Sequence, residues 1–251
     1  MSPNGIGALV MMATMACFTF NDTLVKMTDS AVPLFQLIFL RGMLTSLLIV
    51  GARGRLGHMH FDISRRDWGL IAMRGGAEVC ATLLFLSALF NMPLGNATAI
   101  LQALPLTVTL ASALVLKEAV GWRRMTAIAI GFVGVLLIIN PGAEGFTVWA
   151  LYALGAGCCV TVRDLVTREL SPEVPSISVT LISAMSVMTA AGILSTLQPW
   201  APVSATNGLL IAGAAVFILG GYYFSIRVMR VGEVSFVAPF RYTGLVCALI
   251  L

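Results

Sequence analysis

Apolar runs of 17 to 24 residues follow one another along almost the whole chain, separated by short polar corners that often carry Pro or Gly. A run of about 20 mostly apolar residues is long enough, as a helix, to cross a bilayer. The pattern predicts nine spans, over residues 5–26, 34–52, 67–90, 94–116, 124–140, 147–168, 175–197, 208–229 and 233–251. Pro33, Pro93, Pro141-Gly142, Pro172, Pro175, Pro199 and Pro202 mark the connections. No stretch is polar enough to form a separate soluble domain.

Polar residues inside these runs are few, and their spacing is informative. Arg74 and Glu78 lie four residues apart in the third run, on one helix face. With that helix starting near Asp67, Glu78 sits about 16 Å in, at ~1.5 Å per residue. In the fourth run Thr98, Gln102, Pro105, Thr109 and Ser112 recur at spacings of 4, 3, 4 and 3, which draws one polar stripe. A charge near the bilayer centre costs at least ~2.5 kcal/mol. Such groups therefore turn toward a partner or a wet cavity.

Composition agrees with the pattern. Of 251 residues, 59% are hydrophobic and 10% charged, against about 25% charged in a soluble domain; mean hydropathy is +0.96. The net charge of +4 reflects basic residues in short loops and not nucleic-acid binding. Arg53, Arg55, Arg65, Arg66, Lys117, Arg123, Arg124, Arg168, Arg227 and Arg230 fall on one side of the expected bundle, and Lys26 on the other. The positive-inside rule then places the N-terminus in the cytoplasm. The five cysteines lie in apolar runs without metal-ligand spacing and read as packing residues. His58 and His60 share one basic loop, which reads as solvated and not as a metal site.

The two halves repeat. Phe18–Pro33 aligns without gaps on Val160–Pro175, at the offset of 142 that separates Asp22 from Asp164. Cys17/Cys159, Thr19/Thr161, Val32/Val174 and Pro33/Pro175 are identical pairs. Five spans separate the copies, and an odd number inverts the second. Inverted repeats are a recurring plan of secondary transporters, with the solute held near the midplane. The expected fold is an all-α polytopic membrane protein, with a first repeat over 5–140 and a second over 147–251. A five-plus-five plan calls for a tenth span, so the chain reads as a partial copy or, alternatively, as a nine-span protein.

The repeat, the stretch RGGAEVCATLLFLSALFNMPLGNATAILQALPLTVTLASALVLKE and GEVSFVAPFRYTGLVCALIL near the end together resemble the drug/metabolite transporter superfamily, and specifically a protein with two EamA domains. The resemblance covers the whole chain. It implies a ten-helix carrier of small metabolites in the cytoplasmic membrane, working by alternating access. Members move amino acids and related compounds, or nucleotide-like and vitamin-like solutes.

Candidate site residues follow from chemistry. Arg74 and Glu78 suit a zwitterionic or carboxylated solute, a coupled proton, or a structural pair. Thr98 and Gln102, with Thr109 and Ser112, either line a cavity or join helices. Tyr222, Tyr223 and Tyr242, with Phe85 and Phe240, are either an aromatic wall or packing. Arg241 is a second deep cation, and Arg41 a similar one nearer the outer interface. Pro105 and Pro239, in corresponding spans, each free a carbonyl. Asp22 with Lys26, and Asp164 with Arg168, are acid-before-base pairs at i, i+4; they read as interfacial ion pairs or as gates at opposite mouths. Glu118 reads as a helix-end group. No Walker motif is present, so direct use of ATP is not expected, nor any cofactor; a proton gradient or exchange would drive transport. Neither HExxH nor GxSxG occurs, which argues against an enzyme. The expected partners are a small-molecule solute, the bilayer and coupling protons, with a monomeric chain and no nucleic acid. A membrane scaffold is the alternative.

Overall fold

The computed structural model describes residues 2–28, 31–52, 54, 58–101, 103–115, 121–122, 126, 129–130, 147–231 and 233–250. Among these the ordered elements are helical: α1 (Pro3–Lys26), α2 (Leu34–Gly51), α3 (Arg65–Asn91), α4 (Leu94–Leu101), α5 (Leu104–Val115), α6 (Val148–Arg168), α7 (Ser176–Ser195), α8 (Ala205–Arg230), α9 (Val234–Val237), a 3-10 turn (Ala238–Tyr242) and α10 (Thr243–Ile250). Six of them, α1, α2, α3, α6, α7 and α8, are long and apolar enough to cross a membrane. The chain is an all-helical, multi-pass membrane protein.

Local chemistry explains the ends. The hydroxyls of Ser2, Ser64 and Ser204 accept from the amides of Gly5, Asp67 and Asn207 at 3.2, 3.1 and 3.2 Å, and so satisfy donors that the first turn leaves open. Pro33 and Pro175 stand at the N-caps of α2 and α7. There a missing N–H costs nothing.

Two expected spans are corrected. The run 94–116 is not one helix: α4 ends at Leu101 and α5 starts at Leu104. At the break the Ala103 amide donates to the Ile100 carbonyl, 3.1 Å away, in a tight turn. Pro105, which can neither donate nor fit beneath the carbonyl four residues back, becomes part of the first turn of a new helix. The run 233–251 is interrupted in the same way. Pro239 lies in the 3-10 turn between α9 and α10. The span expected over 124–140 falls almost entirely outside the described residues.

Three helix pairs dominate the packing: α1 on α8, α3 on α6, and α2 on α7. Small residues permit the close approaches. A Cβ on Gly42 would meet Met188 Cβ at 2.8 Å, and one on Gly221 would meet the Phe18 ring at 2.6 Å. Apolar clusters fill the bundle at several levels. One joins Val25, Leu37, Ile38, Leu86 and Leu89 to Val187 and Ile211. Another joins Ile71, Leu170, Val174, Val179 and Ile226. Between these levels the interior is polar.

Candidate functional site

The polar interior is built around a buried charge network. Glu78 on α3 receives Arg74 from its own helix at 3.6 Å and Arg163 from α6 at 3.3 Å. Arg163 also donates to Asp164 beside it at 2.9 Å. The other Asp164 oxygen accepts from Arg241 in the 3-10 turn. Arg74 donates through Nε to Thr167 Oγ on α6 at 2.9 Å, and through Nη1 to Ser183 Oγ on α7. All five charged residues are at most 5% exposed. Burying such charges is tolerable only because each is paired and hydrogen-bonded. The network ties α3, α6, α7 and the 3-10 turn together.

A second polar chain lies at the repeat-related position on α1. Arg41 on α2 donates to Asn21 Oδ1 at 3.1 Å, and the Asn21 amide donates to Asp22 at 2.9 Å. Among the described residues, Asp22 has no cation within ion-pair distance.

A cavity of about 150 Å³ lies between the two groups. Asp22, Arg41, Glu78, Arg163 and Arg241 bring charge to its wall, and Phe18, Phe85 and Tyr222 bring aromatic surface. The Phe18 and Tyr222 rings meet edge to face, with centroids 6.5 Å apart. The cavity can surround a small solute with an apolar body and offer it charged groups of both signs.

Several sequence expectations are corrected here. Asp22 does not pair with Lys26, nor Asp164 with Arg168. Lys26 reaches the carbonyls of Leu89 (2.5 Å) and Met92 (3.4 Å), at the C-terminal end of α3. Arg168 reaches the Met229 carbonyl (3.1 Å), at the C-terminal end of α8. Open carbonyls at a helix end attract cations, while the interior supplies the acids with other donors. Asp164 is 2% exposed, deep in the bundle and not at an interface.

The polar stripe also divides. Thr109 and Ser112 donate to the carbonyls of Pro105 (2.6 Å) and Thr109 (2.9 Å), within α5. Thr107, off the stripe, joins α5 to α6 through Thr161 at 2.9 Å. Gln102 and the Thr98 side chain lie outside the described residues.

Of the expected aromatic wall, Tyr222 and Phe85 line the cavity. Tyr223 instead meets Phe224 edge to face and lies under Arg227, Phe240 packs on Phe236, and Tyr242 is 41% exposed. His58 and His60 are exposed in their loop. No group of three metal-ligating side chains occurs among the described residues.

Sequence reasoning missed Arg163, the centre of the network. A signal was present: it is a cation inside an apolar run, next to Asp164, and its repeat partner is the polar Asn21.

Comparison with known proteins places this architecture. The EamA-like transporter family matches residues 5–140. The riboflavin transporter of Vibrio cholerae is 30% identical over 186 residues, which are 73% of this chain and 62% of that protein. The pseudopaline exporter of Pseudomonas aeruginosa is 27% identical over 248 residues, 94% of this chain and 84% of the exporter. The S-adenosylmethionine uptake transporter of Rickettsia prowazekii is 23% identical over 235 residues, 92% and 78% of the two chains. A solved crystal structure at 18% identity superposes with a TM-score of 0.74, over 98% of this chain and 87% of its own, and so shares the fold.

Proposed function

The chain belongs to the EamA-like transporter family, a family of transporters and not of enzymes, and on that premise we propose that it is a secondary-active carrier of a small organic metabolite. The observation that carries this reading is the charged, aromatic-walled cavity lying among apolar helices. Relatives named as transporters of riboflavin, pseudopaline and S-adenosylmethionine point to a solute with both polar and flat or apolar parts.

Transport proceeds by alternating access of two inverted halves. The helix pairs support this. Exchanging α1 with α6, α2 with α7 and α3 with α8, as the repeat directs, turns the α1–α8 pair into α6–α3 and leaves α2–α7 unchanged; these are the three dominant pairs. The cross-links exchange as well. Gln36 on α2 donates to the Ala201 carbonyl at 2.8 Å, and its repeat counterpart Ser178 on α7 donates to the His60 carbonyl at 2.9 Å. The α1 and α6 cations Lys26 and Arg168 hold the ends of α3 and α8. The gathering of basic residues at one side of the sequence pattern supports a cytoplasmic N-terminus. The acids that face the cavity, Asp22 and Glu78, are the groups available for proton coupling. Asp22 is the better placed, because Glu78 is held by two arginines.

Reconstitution tests the reading. Purified protein in liposomes should accumulate at least one solute from a panel of amino acids, nucleosides, flavins and S-adenosylmethionine, faster than empty vesicles and dependent on an imposed gradient. The same solutes should raise the melting temperature with the logarithm of their concentration. Neither uptake nor stabilisation across the panel would return the protein to the scaffold alternative.

A further inference from the structure

Among the described residues, Arg41 is the interior arginine that meets no acid. Arg74 and Arg163 pair with Glu78, and Arg163 and Arg241 pair with Asp164. Arg41, buried on α2, gives one hydrogen bond, from Nη1 to the neutral Asn21 Oδ1 at 3.1 Å. Its Nε and Nη2 make none there. Yet neither is one of the side-chain atoms that lack a partner while sealed from open space. Arg41 lines the cavity, so these two nitrogens look onto it. The Nε–H and the neighbouring Nη2–H of a guanidinium point the same way, and together they match the two oxygens of one carboxylate.

Asp22 stands one amide away. Asn21 accepts from Arg41 and donates to Asp22 at 2.9 Å, so the two charges share a neutral go-between. Asp22 is half-buried and also lines the cavity. While it is ionised it offsets Arg41. A proton on Asp22 removes that offset and leaves a buried guanidinium without a counter-charge, which is unfavourable. The other charged or titratable groups facing the cavity are Glu78 from α3, Arg163 from α6, Tyr222 from α8 and Arg241 from the 3-10 turn. Glu78 is held by two arginines, and Lys26, one turn along α1 from Asp22, is turned to the carbonyls of Leu89 and Met92. The cavity and its network together hold Arg41, Arg74, Arg163 and Arg241 against Asp22, Glu78 and Asp164. An added anion lowers that excess of positive charge, whereas an added ammonium raises it.

Resting on the carrier reading, we propose that Arg41 is the anion site of the cavity, that the solute is a carboxylate of single negative charge, and that it docks on Arg41 when Asp22 carries a proton. The Nε–H and Nη2–H of Arg41 donate to the two carboxylate oxygens. Phe18, Phe85 and Tyr222 offer an apolar wall to the carbon skeleton. Proton and carboxylate together add no net charge, so the loaded site turns over among apolar helices with no further charge to desolvate. The proton taken up with the solute at one face leaves with it at the other.

The test is ligand-induced thermal stabilisation of the purified full chain at about pH 6 and about pH 8, both above the ordinary carboxyl pKa of about 4, so that an acid probe is ionised throughout. The probes are 3-phenylpropionate, its neutral amide, the zwitterion phenylalanine on the same skeleton, and indole-3-acetate as a second acid. The acids should stabilise at about pH 6 at a concentration at least about tenfold below that needed at about pH 8, and below that needed for the amide or for phenylalanine. Asp22→Asn keeps an oxygen for the Asn21 amide and carries no charge. It should bind the acids at both pH values as the native protein does at the lower one. Arg41→Lys keeps a cation beside Asn21 and loses the paired donors. It should fold with an unliganded melting temperature close to native and lose about tenfold in apparent affinity for the acids. Equal response to acid and amide, tighter binding of phenylalanine than of the acid, acid binding that does not tighten at the lower pH, a pH dependence that survives in Asp22→Asn, undiminished binding by Arg41→Lys, or no stabilisation by either acid would each overturn the proposal. Each leaves the carrier reading to be decided by the liposome assay, which does not depend on these probes.

Discussion

Two positions related by the internal repeat, Asn21-Asp22 on α1 and Arg163-Asp164 on α6, are built to different standards. On α6 the pair closes a network. Arg163 joins Glu78, and Asp164 joins Arg241, so that three elements are clamped by full charges. On α1 an amide replaces the guanidinium. Asn21 passes one hydrogen bond from Arg41 to Asp22, and among the described residues Asp22 has no cation in reach. One amino-acid difference at equivalent positions thus separates a locked end of the site from a loose one. In an alternating-access carrier the two ends must open in turn. The clamped end is where opening has most to undo, and the α1 end has an acid with no ion pair among the described residues.

The largest effect should come from breaking the lock. Arg163→Leu leaves Glu78 with Arg74 alone and Asp164 with Arg241 alone, inside an apolar bundle. Each acid keeps one arginine but loses the donors of Arg163, at about 1–3 kcal/mol for each buried acceptor left short. The expected outcome is a large fall in melting temperature or loss of folded protein from the membrane fraction. Arg163→Lys restores a cation between Glu78 and Asp164, and should recover part of the loss. If Arg163→Lys is as unstable as Arg163→Leu, the charge at that position is not what holds that end.

Where the halves meet, the comparison predicts a smaller and purely steric effect. Gly42 lies at the α2–α7 crossing, the one dominant pair the repeat maps onto itself. A Cβ there would stand 2.8 Å from Met188 Cβ and 3.1 Å from its Cα, so backbone must move. Gly42→Ala should destabilise by about 1–3 kcal/mol, read by thermal unfolding in detergent. Gly76→Ala, where nothing lies within 4 Å, is the control and should leave the melting temperature close to native.

Asp22→Asn should change stability less, because the native carboxylate has an amide partner and no ion pair to lose; the expected shift is within about 1 kcal/mol. Its signature is functional. If Asp22 takes up the coupling proton, accumulation driven by a pH gradient should disappear in Asp22→Asn, while gradient-free exchange of solute continues. Accumulation that keeps its full pH dependence would move the coupling role to Glu78.

How much of this was legible beforehand depends on distance along the chain. The six long helices begin and end within three residues of the spans expected from the apolar runs, because that signal is local. The ion pairs were misread for the same reason. An i, i+4 rule sees one helix, whereas Asp164 is satisfied by Arg241, 77 residues on, and Glu78 by Arg163, 85 residues on. Pro105 and Pro239 stood in plain view as lost donors, but the helix break at each, and the Arg241 placement that follows from the second, are tertiary outcomes. Arg163 was passed over as a member of a polar pair whose meaning appears only once α3 lies beside α6.

The finest test concerns a feature that the two halves share. Lys26 holds the C-terminal carbonyls of α3, and Arg168 that of α8. A cation at a helix C-terminus contributes about 0.3–1 kcal/mol. Lys26→Met and Arg168→Met should therefore each lower stability by a similar small amount, and the double variant by their sum, since sites far apart add. Additivity would show that the caps act as independent devices, one at each mouth, beneath the asymmetry of the charged site. A double variant clearly worse than the sum would mean that the mouths are coupled through the bundle. The contrast between a locked end and a loose end would then belong to one conformation of the carrier, exchanged between the halves as it turns over.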